Sequence, residues 1–107
     1  MQKQKIQKEE VQEQETKRPE KTRYHLVFSG SVQAVGFRYR AVHAAGSLGL
    51  TGWVKNCWDG TVEMEAQGRP EEIRRMIGMI ADSRYINIEN VQAKEIALET
   101  ESGFHIR

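Results

Sequence analysis

The dipeptide Asp59-Gly60 lies between two extended runs, Thr51 to Asn56 and the alternating Val62, Met64 and Ala66, and no other local feature constrains the chain as much. An Asp-Gly pair suits the positive φ angles of a tight turn, so the two runs are expected to pair as an antiparallel hairpin. Apolar stripes of helical spacing stand on both sides of it. Phe37, Ala41, Ala44, Ala45 and Leu48 form the first; the small Ala44, Ala45 and Gly46 let a helix lie close on a sheet, and Gly49 stands where that helix would end. Ile73, Met76, Ile77 and Ile80 form the second. Pro70 opens it at a position where proline fits, and Glu71 and Glu72 follow at the end of the helix dipole that favours carboxylates.

Three further segments complete the pattern. Tyr24 to Gly30 alternates, with Tyr24, Leu26 and Phe28 on one face, and predicts a first strand. A looser extended segment from about Asn90 to Leu98 predicts a fourth, and Phe104-His105-Ile106 a short fifth. The order β-α-β-β-α-β places the chain in the α+β class, as a ferredoxin-like βαββαβ sandwich with an antiparallel sheet and two helices on one face. That architecture serves enzymes, regulatory modules and RNA binders alike, so function has to be argued from a site.

Composition shows where the site cannot be. Residues 1–22 hold six basic and five acidic residues, five Gln, and only Met1, Ile6 and Val11 as apolar side chains. So polar a segment is expected to form a charged, disordered tail ahead of a domain spanning residues 23–107. Taking it from the chain's 16 basic and 15 acidic residues leaves ten of each, so the domain is formally neutral. Neutrality argues against a partner found by bulk electrostatics, whether nucleic acid or an anionic membrane. No stretch approaches the roughly 20 apolar residues a bilayer requires, and Met1 to Thr22 lacks the apolar centre of a secretory signal. The single cysteine, Cys57, excludes an internal disulfide and a multi-cysteine zinc cage. The expectation is a small cytoplasmic domain acting as a monomer.

The chemistry falls to the loop after the first strand. Gly30-Ser31-Val32-Gln33-Ala34-Val35-Gly36-Phe37-Arg38 joins a strand to a helix N-terminus, where unpaired backbone N–H groups gather and the dipole favours an anion. Curled inward, such a loop makes a nest for phosphate oxygens, and Arg38 in the first helical turn can pair with two of them. Spacing alone leaves open a plain glycine-containing connection with Arg38 on a solvated face.

This segment resembles the acylphosphatase signature G-x-V-Q-G-V-x-F-R, here GSVQAVGFR at residues 30–38. The family's second block, G-W-V-x-N-x-x-D-G, is similar to Gly52-Trp53-Val54-Lys55-Asn56-Cys57-Trp58-Asp59-Gly60. The resemblance covers roughly residues 24–107 and implies the same ferredoxin-like fold. It implies hydrolysis of small-molecule acyl phosphates to a carboxylate and inorganic phosphate, the latter both product and inhibitor, without metal or organic cofactor. Carried over by position, Arg38 binds the phosphate, Asn56 orients the attacking water, and the loop amides from Gln33 through Ala34, Val35 and Gly36 to Phe37 cradle the phosphoryl oxygens. Neither Arg38 nor Asn56 is a base, which suits phosphoryl transfer to water from a good leaving group, a reaction that depends mostly on positioning and charge stabilisation.

One departure bears on rate. Ala34 stands where the family has a glycine, and a Cβ at a positive φ costs about 1–2 kcal/mol. The alternative reading is therefore a catalytically weak or inactive phosphate- or metabolite-binding module on the same fold. A single-stranded RNA binder finds only a faint echo in Phe37-Arg38-Tyr39-Arg40. Other conspicuous residues favour plain roles: His25, His43 and His105 lack metal-ligand spacing, and Cys57 is an inert turn cysteine. Trp53 and Trp58 are expected to be packing residues and not stacking platforms, and Glu63 and Glu65 to face solvent.

Overall fold

A computed structural model describes residues 20–107. The expected tail therefore lies outside the described residues, apart from Glu20 and Lys21, which lead into the first strand, and Thr22, which already belongs to it. The elements are β1 (Thr22–Ser31), α1 (Phe37–Leu48), β2 (Thr51–Asn56), β3 (Val62–Gly68), α2 (Pro70–Ala81), β4 (Asn87–Ile96) and β5 (Phe104–Ile106). They form one sheet in the order β4-β1-β3-β2-β5. The first four strands pair antiparallel as the βαββαβ order requires, and β5 adds to the edge of β2 in parallel, so the complete sheet is mixed.

Register explains where the core sits. Leu26 faces Met64 and Phe28 faces Val62 across β1 and β3, while Val54 faces Met64 across β2 and β3. Opposed residues share a face, and this one is buried beneath Phe37, Ala41, Ala44 and Ala45 of α1 and Ile73, Met76 and Ile80 of α2. Each large apolar side chain buried there contributes about 1.5–3 kcal/mol of transfer free energy. The chain leaves α1 through Gly49, and the Leu50 amide, donating back to the Ala45 carbonyl at 2.9 Å, carries a buried Leu50 under the helix end.

The opposite face is not simply solvated, which corrects the expectation for Glu63 and Glu65. Arg23 is fully buried there, with Glu65, Glu99 and Glu101 in ion-pair range and Gln67 accepting from its Nη1. Burial works against the charge, yet the carboxylates of Glu101 and Glu65 outweigh it and raise the guanidinium's pKa. Gln67 also brackets the backbone of Glu99, donating to its carbonyl and accepting from its amide, both at 2.9 Å. The segment between β4 and β5 is thereby strapped across the sheet. His25 Nε2 lies 2.7 Å from Glu63, and that hydrogen bond holds the Glu63 carboxyl below its ordinary value.

The tryptophans part company. Trp53 is buried on this same charged face, capped by the Arg107 guanidinium 4.3 Å from its ring centre, and not in the core under the helices. Trp58, expected to pack, is wholly exposed at the hairpin tip, because the turn that Asp59-Gly60 makes points it away from the sheet. The fourth strand starts at Asn87, earlier than the expected Asn90, because Ile88 and Asn87 pair with Gly30 and Ser31; Leu98 falls outside it. Backbone partners on β1 set its extent, and its own residues are almost all exposed.

Candidate active site

At Ser29/Gly30 the β1–β4 register shifts, and β1 runs on paired to β4 through Ser31, where the loop begins. Gly30 is needed there: a Cβ would stand 2.3 Å from the Asn87 carbonyl oxygen. The loop ends at Gly36, which caps α1 at φ 85° without a side-chain hydrogen bond, so the first-turn amides of α1 gain no partner from the cap. Between them Ala34 has φ 60°, the single positive φ at a non-glycine among the described residues. Alanine thus holds a left-handed conformation that costs it about 1–2 kcal/mol, and the surrounding loop keeps it there.

Around this loop lies a cavity of about 220 Å³. Val32, Ala34 and Gly36 line it from the loop, Phe37, Arg38 and Tyr39 from the first turn of α1, Asn56 from the end of β2, and Ile106 from β5. Arg38 supplies the lining's one formal charge, and among the described residues it forms no ion pair. Asn56 Oδ1 is buried without a hydrogen-bond partner among the described residues, an acceptor in want of a donor. No His, Asp, Glu or Cys belongs to the lining.

Five of the seven residues singled out in the sequence, Ala34, Gly36, Phe37, Arg38 and Asn56, meet at this cavity; Gln33 and Val35 do not line it. Val35 packs against the core, and Gln33 turns its side chain to the hairpin, donating to the carbonyls of Cys57 and Thr61 at 2.6 and 2.7 Å. The same turn is closed by Cys57 N–H to Thr61 O at 2.9 Å and by Asp59, which accepts from the hydroxyl and amide of Thr61. Those bonds, the hydroxyl's first, hold the Asp59 carboxyl below its ordinary value. Cys57 is half-buried, its Sγ 3.7 Å from Glu63. Val32, Tyr39 and Ile106 line the cavity without having been singled out as site residues; Val32 lies within the signature segment itself. Of the other two, the first adjoins Arg38 in the helix's opening turn and was within reach; the second depends on the parallel pairing of β5 with β2, which no local pattern signals.

Comparison with known proteins places this arrangement. The family model for acylphosphatase matches residues 24–106.

The chain belongs to the acylphosphatase family.

It is 40% identical over 88 residues to an acylphosphatase of Bifidobacterium longum, covering 79% of this chain and 91% of that one. An acylphosphatase of Clostridium acetobutylicum is 41% identical over 86 residues, covering 78% and 94%. The crystal structure of acylphosphatase from Bacillus subtilis superposes with a TM-score of 0.75 at 32% identity, over 80% of this chain and 98% of that one. The chain is thus an acylphosphatase-type enzyme with the family's α+β fold, and the ferredoxin-like expectation holds. Among the described residues no helix is long and apolar enough to cross a membrane.

Proposed function

We infer that the cavity hydrolyses the carboxyl–phosphate anhydride of small acyl phosphates, releasing carboxylate and inorganic phosphate. The observation that carries this reading is the convergence of Arg38 and Asn56, from separate elements, on one cavity beside the N-terminus of α1. In it the phosphoryl oxygens lie against the first-turn amides and the loop, with the Arg38 fork pairing two of them. The Asn56 Oδ1 accepts from a water and holds it in line with phosphorus. The water oxygen bonds to phosphorus, the bond from phosphorus to the acyl oxygen breaks, and the carboxylate leaves with the electron pair. With no base in the lining, the water's proton passes to a phosphoryl oxygen. We read the chain as acting alone, and the free thiol of Cys57 suits the cytoplasm.

A volume of about 220 Å³ falls below the roughly 300–1,000 Å³ of pockets for drug-sized ligands, in keeping with a small anion. The second reading, a phosphate- or metabolite-binding module with little turnover, draws on Ala34 at φ 60°. Phosphate release from benzoyl phosphate by the purified chain, with and without EDTA, decides between them. Turnover insensitive to EDTA and competitively inhibited by inorganic phosphate supports the hydrolase. Phosphate binding without turnover supports the module.

A further inference from the structure

Asn56 reaches the cavity from the last position of β2. Side chains alternate along a strand, so its neighbours Lys55 and Cys57 are directed to the sheet face opposite the helices. There both meet one side chain. Glu63 stands across from Lys55 in the β2–β3 register, its Oε1 3.7 Å from Cys57 Sγ and 3.9 Å from Lys55 Nζ. Its other oxygen, Oε2, lies 2.7 Å from His25 Nε2 on β1. The carboxylate is thus anchored to β1 through His25 and reaches the residues on both sides of Asn56.

A carboxylate has lone pairs enough for all three neighbours. The hydrogen bond from His25, and after it the Lys55 charge and the Cys57 thiol, hold the Glu63 carboxyl below its ordinary value against the effect of burial. On the cavity side the Asn56 Oδ1 has no hydrogen-bond partner among the described residues. Gln33 acts on the hairpin backbone, at the carbonyls of Cys57 and Thr61. The chain around Asn56 is therefore held from the loop by Gln33 and from behind the sheet by Glu63.

We propose that Glu63 is a positioning residue for the hydrolysis: by holding Lys55 and Cys57 it fixes the direction in which Asn56 presents its side chain to the attacking water. The inference rests on the reading of Asn56 as the group that orients that water. Glu63, His25 and Lys55 are all partly exposed, so their contacts add little to stability. Catalysis is far steeper in distance, a displacement of about 1 Å costing on the order of a hundredfold. The bracket therefore acts on rate more than on folding.

The test is a double-mutant cycle between Glu63→Ala and Asn56→Ala. It is read as kcat for benzoyl phosphate and as inhibition by inorganic phosphate, at a temperature where circular dichroism shows every variant folded. Glu63→Ala is expected to lower kcat about tenfold in the wild-type background. Phosphate inhibition should stay within about twofold, because Glu63 bonds neither to Arg38 nor to the loop. In the Asn56→Ala background the same substitution should change kcat by less than about twofold, since no asparagine is left to misplace. A partial loss of folded enzyme lowers kcat by one factor in both backgrounds, so equal factors overturn the proposal. Lys55→Met combined with Cys57→Ala leaves the His25–Glu63 contact in place and is expected to reproduce the loss. Wild-type kcat in that variant or in Glu63→Ala overturns the proposal as well. Wild-type kcat in Asn56→Ala is a different failure: it removes the role of Asn56, and with it anything for Glu63 to position.

Discussion

Gln33 Nε2 donates to the carbonyl oxygen of Cys57 at 2.6 Å, tying the β1–α1 loop to the hairpin that begins directly after Asn56. A second bond from the same nitrogen to Thr61 O, 2.7 Å, closes the clamp. The side chain therefore fixes where Asn56 stands relative to the loop. Gln33→Ala removes both bonds and is expected to cost about 1–3 kcal/mol of stability. Its kcat should fall more than its affinity for phosphate, because the loop remains while the Asn56 strand end loosens. Chemical denaturation and phosphate inhibition, measured side by side, check the split.

Asn56 itself should separate turnover from stability in the opposite sense. Its Oδ1 is buried without a partner, so Asn56→Ala forfeits no hydrogen bond at that atom and is expected to leave the melting temperature unlowered. Turnover of benzoyl phosphate should drop on the order of a hundredfold at saturating substrate. Arg38, free of ion pairs among the described residues, behaves likewise: Arg38→Ala should abolish phosphate binding while circular dichroism stays that of the wild type. Wild-type turnover in either variant defeats its assigned role.

Ala34→Gly releases the positive φ but makes the unfolded chain more flexible. The first effect is worth about 1–2 kcal/mol and the second returns roughly 0.5–1, so the net change in stability should be a gain of about 1.5 kcal/mol or less. Activity is the more telling measurement. A rise in kcat of several-fold shows that the alanine restrains the phosphate loop, whereas an unchanged kcat shows that the loop holds its shape regardless.

Both helices, the hairpin and the strand order are legible in the sequence, because the stripes of α1 and α2 and the Asp-Gly turn are local signals of what packing requires. Arg38 and Asn56 are singled out by the resemblance to the acylphosphatase signature blocks, spacing alone leaving them open, and both line the cavity. The burial of Arg23 is not legible. It lies in an alternating strand, and its partners Glu65, Glu99 and Glu101 come from distant parts of the chain. The same distance hides Ile106 from any local reading. Glu63 and Glu65 alternate as a solvated face would, and only the His25 and Arg23 side chains across the sheet turn them into ion-pair partners.

Arg23→Met should accordingly be costly. Removing one member of a buried charge cluster typically costs about 3–5 kcal/mol; because Glu65 and Glu101 keep some solvent access, the lower end, about 3, is expected. Loss of the strap should also loosen β5, whose Ile106 lines the cavity, and raise KM at temperatures where the variant is still folded. Thermal melts and KM for benzoyl phosphate check the two halves of this prediction.

Acid should find the His25–Glu63 contact. The Glu63 carboxyl is held below its ordinary value in the fold, chiefly by the hydrogen bond from His25. The unfolded chain therefore takes up that proton first as pH falls. The stabilisation is complete above about pH 4.3, the ordinary glutamate value, and is lost as pH drops through the lower folded one. Glu63→Gln should be less stable than the wild type near neutrality, with a gap that narrows on acidification; a gap that does not change with pH rules the linkage out.

The cavity's walls come from a loop, a helix turn, the end of a central strand and an edge strand near the far end of the chain. Catalysis then doubles as a gauge of foldedness, since no half of the domain can assemble the site. A second gauge sits beside it. Trp53, under Arg107, is sheltered in the same strand as Asn56, whereas Trp58 is bathed in water folded or not. The shift in Trp53 emission and the loss of turnover should coincide in a single denaturation transition, making this small enzyme a self-reporting system for cooperative unfolding.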